Sequence, residues 1–369
     1  MPFRALSMAI TTSSNSKAIA ATALLVMAFV VPPAASSQVQ PPKPKKPAKP
    51  STFFQSEKPL DITFTTNIRR LRMDKGATAP WRAATFSYAG PDQKPVVVPL
   101  RVRTRGIWRL KSCAFPPVRL NFAGASTTGT VFEGLDKPKL VNHCQDHENY
   151  EQYLLQELQL YRVYKLLTPV SHAARLIRMT YADSATGRKN ATRFAFMMED
   201  LAVVAARAGG KSIEHKGAGP GDLDPHHDAL AGVFQYMIGN TDYSVPGLHN
   251  VELVQLHDGN TLQVAYDFDF SGAINARYAT TDPSLSIKRV RDRLFRGFCV
   301  EKEVFTKVFT LFNAKRDEIY ALYRDDIGRL LAPQTVNETL KYFDEFYRTI
   351  NDPRASKREI FDACRGRGD

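Results

Sequence analysis

The spacing of apolar residues switches at about residue 145 from a strand period to a helical one, and that change limits the folds open to the chain. Before residue 145 the apolar residues alternate with polar ones in LDITFTTNI (60–68), RAATFSYAG (82–90), KPVVVPLRVRTRG (94–106), PPVRLNF (116–122) and KPKLVNHC (137–144). A two-residue period puts one face of a strand on a core, so these segments read as a mostly antiparallel sheet. From 148 to 167, in ENYEQYLLQELQLYRVYKLL, the apolar residues fall at helical spacing until Pro169 stops the run. ARLIRMTYAD and ATRFAFMMED then read as a hairpin across SATGRKN. The Gly-rich stretch 207–225 reads as a loop, PHHDALAGVFQYMIG as a helix capped by Asp224 and opened by Pro225, LQVAYDFDF as a strand, and the chain from 284 onward as mainly helical. This order predicts an α+β protein with an N-terminal antiparallel β-rich part carrying one long helix, at 53–202, and a mainly helical C-terminal part at 203–369.

The first residues are of a different kind. Arg4 and Lys17 precede the apolar run AIAATALLVMAFVV (18–31), and small residues follow in PPAASSQ. That is the pattern of a secretory signal peptide over 1–37, its apolar run short of the roughly twenty residues that span a bilayer. No other stretch approaches membrane-spanning length, so the expectation is an exported protein, periplasmic or secreted, without a transmembrane segment after cleavage. A Pro- and Lys-rich linker occupies 38–52 and supplies a compact share of the +13 net charge. The remaining basic residues are dispersed, and without a zinc-finger, RNP-like or heptad pattern they predict no specific nucleic-acid partner. Export also changes the reading of four cysteines with no CxxC among them. One disulfide in each half is expected, Cys113–Cys144 and Cys299–Cys364, and zinc at HCQDH (143–147) is disfavoured because Cys144 would be bonded.

Two acidic loops carry the chemistry: GNTDYSVPGLHN (239–250) and YDFDFSG (266–272). Either alone reads as a turn, since Asp and Asn side chains cap backbone groups. Phosphoryl transfer needs a cation on the donor's phosphates, hard oxygen ligands for Mg²⁺ or Mn²⁺, and a carboxylate at the acceptor hydroxyl. Candidates occur in that order. Lys139 shares a strand face with Lys137, Glu157 lies in the helix that follows, Asp242 and Asn250 sit in one loop, and Asp267 and Asp269 are expected on one side of an extended strand. Arg103, Arg105 and Arg109 share a parity, which places them on one strand face facing either solvent or an anion.

RTRGIWR (103–109), KPKLV (137–141), the Glu157 helix, FMMED (196–200) and the two acidic loops together resemble the CotH kinase family, atypical protein-kinase-like proteins of spore coats and bacterial secretions, with HipA-type kinases as more distant relatives. The resemblance implies a two-lobed kinase-like fold with ATP or another nucleotide as donor. It further implies Asp242 as the catalytic base or acceptor-positioning group, Asn250 and Asp267 as metal ligands with Asp269 beside them, Lys139 on the phosphates paired with Glu157, Arg105 in place of a Gly-rich loop, and FMMED as the hinge beside the adenine. The acceptor would be a protein or a cell-envelope component. HRD, strict DFG and G-x-G-x-x-G are absent. Two other readings compete: a catalytically silent envelope protein that keeps the fold to bind a partner, and a glycosyltransferase using DFD as a DxD metal motif.

Overall fold

Each of the five alternating segments before residue 145 contains a strand. The computed structural model describes residues 50–74, 78–106 and 108–366, so the signal peptide and the linker up to residue 49 lie outside the described residues. All described residues belong to one compact unit, Lys45–Asp369. In chain order they form β1 (Leu60–Thr66), α1 (Ile68–Met73), β2 (Arg82–Ala89), β3 (Pro95–Thr104), α2 (Trp108–Ser112), β4 (Val118–Phe122), α3 (Gly124–Thr127), β5 (Lys139–Asn142), α4 (Glu148–Leu167), β6 (Ala174–Asp183) and β7 (Lys189–Met198). After them come α5 (Leu201–Arg207), β8 (Gly210–Ile213), α6 (Pro225–Ile238), β9 (Val251–Leu256), β10 (Thr261–Ala265), α7 (Lys302–Ala321), α8 (Pro333–Asn351) and α9 (Pro353–Ser356).

The first seven strands close into a barrel in the order β1-β2-β3-β4-β5-β7-β6. Every neighbouring pair is antiparallel except the closing one, where β1 runs parallel to β6 from Leu60 opposite Ile177 to Thr66 opposite Asp183. Closure pairs both edges that an open sheet would leave exposed. The α+β class therefore holds, but the expected two-lobed kinase-like fold with an antiparallel β-rich lobe does not: the N-terminal half is a closed, mixed seven-stranded barrel. Alternation determined which face of each strand is buried but carried no information about which strand pairs with which.

The barrel interior follows from that alternation. Ile62, Phe64, Phe86, Val98, Leu100, Val102, Leu120, Phe122 and Met197 pack there, with Phe132 stacked on Phe122 at 5.4 Å. β7 is buried on both faces at its end, with Ala195 and Met197 inside the barrel and Phe196 and Met198 against the second core, which explains its unbroken apolar run. That second core gathers α4, α6, α7 and α8. His147 caps α4 by accepting from Asn149 N–H, and from Leu154 to Tyr164 every residue of this helix is buried. Its polar residues therefore need partners inside the protein. Arg162 donates to Asp325 at 2.6 Å and Glu57 at 2.9 Å, and Gln159 donates to the Leu322 carbonyl at 2.7 Å.

Asp224 caps α6 as expected, accepting from His227 N–H with Pro225 in the first turn. The helix ends at Gly239, at φ 65°. A Cβ there would collide with the Tyr342 hydroxyl, so glycine alone fits. β8 lies inside the stretch expected to be loop and joins β9 and β10 in a three-stranded antiparallel sheet. β10 stops at Ala265, and the first helix after residue 284 starts only at Lys302.

Both expected disulfides form. Cys113–Cys144 ties the end of α2 to the chain just past β5, and Cys299–Cys364 ties the segment before α7 to the C-terminal residues. Two disulfides fit maturation in an oxidising compartment. No helix among the described residues is long and apolar enough to cross a membrane.

Candidate functional site

A cavity of about 530 Å³ opens where β5, α4 and the loops after α6 and β10 meet, and Arg105, Lys139, Glu157, Asp242, Asn250, Asp267 and Asp269 all line it. The seven residues given catalytic, nucleotide or metal roles thus reach one space. The chain brings them there by different means: Lys139 is the first residue of β5, Arg105 follows β3, Glu157 sits in the middle of α4, and the remaining four lie in loops.

The 239–250 loop folds back on itself. Ser244 and His249 exchange backbone hydrogen bonds at 2.9 and 3.0 Å, which brings residue 242 against residue 250. Asn250, at φ 52°, donates its amide to the Asp242 carbonyl at 2.7 Å and to Asp242 Oδ2 at 3.0 Å. With Nδ2 used in this way, Asn250 Oδ1 is the atom left to face an ion, an orientation assigned from the hydrogen-bond network. Asp242 Oδ1 lies 3.0 Å from His249 Nε2, and Asp242 N–H donates to Asn240 Oδ1 at 3.0 Å. Arg296 donates to the Thr241 carbonyl and so holds the loop from the other side.

One wall is cationic. Lys139 does not pair with Glu157, contrary to the expectation; its Nζ lies 2.7 Å from Glu252 Oε1 and 4.0 Å from the centre of the Tyr266 ring. Glu252 is on β9, the central strand of the three-stranded sheet. Burial acts to raise the Glu252 carboxyl, but His172 and then Lys139 hold it down at about 2. Lys137 pairs with Asp136 at 3.0 Å and lines only an adjoining cavity, so Lys139 is the lysine of this one. Arg105 donates to the Leu140 carbonyl at 3.3 Å, and burial pulls its pKa below the usual arginine value. The three arginines do not share a strand face: β3 ends at Thr104, Arg103 lies over the Trp81 ring at 4.7 Å, and Arg109, in α2, donates to the Asn142 carbonyl at 2.9 Å. Arg119, opposite Lys139 in the sheet register, adds another cation to the cavity lining.

The facing wall is acidic. Glu157 is 4 % exposed, and its Oε1 has no hydrogen-bond partner. Burial, then Asp269, then Asp267 push its carboxyl well above the usual range, against the opposing pull of Arg109. Burial and then Asp267 push Asp269 up to about 7, although Tyr278 donates to its Oδ2 at 3.1 Å. The two aspartates are not on an extended strand as expected. Asp267 is at φ 61° in a turn past β10, and its N–H donates to the Tyr161 hydroxyl at 2.7 Å.

Among the described residues no three His, Cys, Asp or Glu side chains stand close enough to hold an ion as they are. The donor set nevertheless fits a hard divalent cation. Mg²⁺ takes one or two carboxylates, keeps waters and completes its shell with phosphate oxygens, and the orphaned Glu157 oxygen marks an acidic wall short of positive charge. Zinc at HCQDH is closed off, since Cys144 is bonded to Cys113 and His147 caps α4. In FMMED, Met198 lines the cavity, Glu199 is paired with Arg207 at 2.8 Å, and Asp200 caps α5. A second cavity of about 390 Å³ adjoins the first, shares Arg105, Arg119, Lys139 and Glu252 with it, and adds Trp81, Pro138 and Leu201.

In comparisons with known proteins, no family model matches this chain and no curated protein matches it. The reading of the site therefore rests on its own geometry. Sequence reasoning missed Glu252 and His172. A lone glutamate in the apolar strand VELV was a usable signal for the first; nothing local marks the second.

Proposed function

We propose that this cavity transfers a phosphoryl group from a nucleotide donor to a hydroxyl of a protein or cell-envelope acceptor. The observation that carries the reading is the convergence of an acidic, cation-seeking wall and a cationic, phosphate-seeking wall on one space. The reading rests on this chemistry and not on kinase architecture. The residues concerned are those that resemble the CotH kinase family, and the two disulfides suit its exported, periplasmic or secreted members.

In this scheme Lys139 and Arg105 hold the donor's phosphates, and the second cavity, with Trp81 and Leu201, takes the rest of the donor. Mg²⁺ or Mn²⁺, when bound by Asn250 and Asp267 with Asp269 beside them, would neutralise charge on the phosphates as the bond to the leaving oxygen breaks. Asp242 faces the acceptor hydroxyl, orients it and takes its proton as the new P–O bond forms. His249 and Asn250 keep the Asp242 carboxylate in place through its two oxygens.

The test is the melting temperature of the purified protein with ATP and other nucleotides, with and without Mg²⁺ or Mn²⁺, beside Asp267→Ala. A metal-dependent rise that Asp267→Ala abolishes supports the proposal. No rise with any nucleotide sinks it in favour of a catalytically silent binding protein, and a rise confined to sugar nucleotides points to glycosyl transfer instead.

A further inference from the structure

A third cavity, of about 400 Å³, shares no lining residue with the other two. Asn149, Gln152, Tyr153 and Gln156 of α4 line it, and their spacing puts them on one helix face. A helix face turned toward other elements is ordinarily apolar, and the space beside it is ordinarily filled by side chains. This one carries three carboxamides and the space is open. From α8 come Gln334, Thr335, Glu338 and Thr339, and further lining comes from Arg291 and residues 273–275.

Gln156 is 5 % exposed, and among the described residues its side chain meets one partner, the Thr339 hydroxyl at 3.4 Å. That hydroxyl has a single proton, and its 2.9 Å bond to the Thr335 carbonyl takes it. The contact therefore satisfies at most one atom of the Gln156 amide, whichever way the amide is turned, and the other atom is left for an occupant of the cavity. Gln152 is already held: it donates to the Leu330 carbonyl at 3.2 Å and accepts from Ala332 N–H at 2.8 Å, which ties α4 to the chain entering α8. Arg291 lies over the Tyr342 ring at 4.6 Å, and Glu338 on the same lining offsets its charge.

We infer that this cavity binds a neutral, polyhydroxylated ligand, a sugar unit of a glycan. A carboxamide both donates and accepts, as a hydroxyl does, so Gln156 and the exposed Asn149 and Asn275 match neighbouring hydroxyls on a ring. The Tyr153 ring, packed edge-on to Tyr150 and Tyr278, offers apolar surface to the ring carbons. A phosphate only accepts, and Glu338 would repel it. A peptide takes a free strand edge or apolar pockets for its side chains, whereas no strand lines this cavity and its aliphatic lining is Ala273, Ile274 and Ala332. The volume falls within the roughly 300–1,000 Å³ of small-molecule sites. The loop after β10 carries Asp267 and Asp269 on the catalytic cavity and residues 273–275 on this one, so the sugar site lies at the far end of the loop that holds the proposed metal ligands. The inference does not rest on phosphoryl transfer, and its failure leaves that reading standing.

The experiment titrates the protein, in EDTA and without nucleotide, with cellotetraose, maltotetraose and chitotetraose, read by saturation-transfer difference NMR, with tetra-alanine as the peptide arm. Wild type should bind at least one of the tetrasaccharides. Gln156→Leu, which keeps a similar shape and removes the unpaired amide atom, should weaken that binding about tenfold. Asn149→Ala alters only an exposed side chain, should weaken it about threefold, and keeps the test decisive where Gln156→Leu does not fold. No binding of any of the three sugars, binding unchanged in these variants, or binding of tetra-alanine in place of the sugars would overturn the inference.

Discussion

Glu252 and Asp269 line the same cavity, and burial pushes both carboxyls upward, yet they end far apart. His172 and Lys139 bring Glu252 down to about 2, whereas Asp267 adds to the rise of Asp269, which reaches about 7 with only Arg109 and the Tyr278 hydroxyl opposing. Burial by itself thus does not decide the charge of a group; the sign of the nearest partner does. One wall carries its own compensation, and the other presents carboxylates that a cation would relieve.

The largest test of this contrast reaches the acidic wall from behind. Cys113 N–H donates to the Arg109 carbonyl at 2.9 Å, so the Cys113–Cys144 bridge anchors the cation that opposes the rise of Glu157 and Asp269. Replacing both cysteines by serine should cost about 3 kcal/mol in urea unfolding, because the bridge closes a long loop. Next comes Lys139→Met, which removes the ammonium beside Glu252; tripolyphosphate with MgCl₂ should bind about thirtyfold more weakly by calorimetry, about 2 kcal/mol, and unchanged affinity would take Lys139 off the phosphates.

A smaller effect distinguishes the walls by pH. Asp269 has a folded value above its unfolded one, so the folded state holds the extra proton between about 3.8 and about 7 and stability falls as pH rises through that window. Asp269→Asn cannot ionise and should recover about 1 kcal/mol at pH 8, with the gain vanishing below pH 4, an estimate discounted for water in the cavity. Glu252 has the opposite sign: its contribution is present above about 4.5 and is lost as pH falls toward about 2. Melting curves of Asp269→Asn and Glu252→Gln against pH should therefore diverge in opposite directions, and parallel curves would dissolve the contrast. The smallest effect is expected at His249, 59 % exposed against Asp242, where alanine should change stability by less than about 0.5 kcal/mol.

The acidic loops show what was legible beforehand. Asp242 and Asn250 could be grouped because the loop between them is short, and the fold confirms that they touch. Helix α4 and the Asp224 cap could be read because periodicity and capping are local. The partner of Lys139 could not. Glu157 was chosen from an order of elements, while the actual partner, Glu252, arrives from a distant strand through a sheet that no short-range pattern specifies. The YDFD stretch was misread for a related reason: its apolar alternation suits a strand, but Asp267 takes a left-handed turn that carries its side chain toward the cavity.

By itself the sequence determined the long helix α4, the strands before it and the buried face of each, the cap of α6, and most of the residues with chemistry to offer; one disulfide in each half was the expected choice among three connectivities. These depend on period, propensity and composition, which act over a few residues. Only the tertiary structure decided that the strands close into a barrel through the parallel β1–β6 pair, that Glu252 stands between Lys139 and His172, and that Glu157 is left without a partner for one oxygen. Those outcomes depend on which distant surfaces meet and on how burial and neighbouring charge then set each group's protonation, quantities that exist only once the chain has folded.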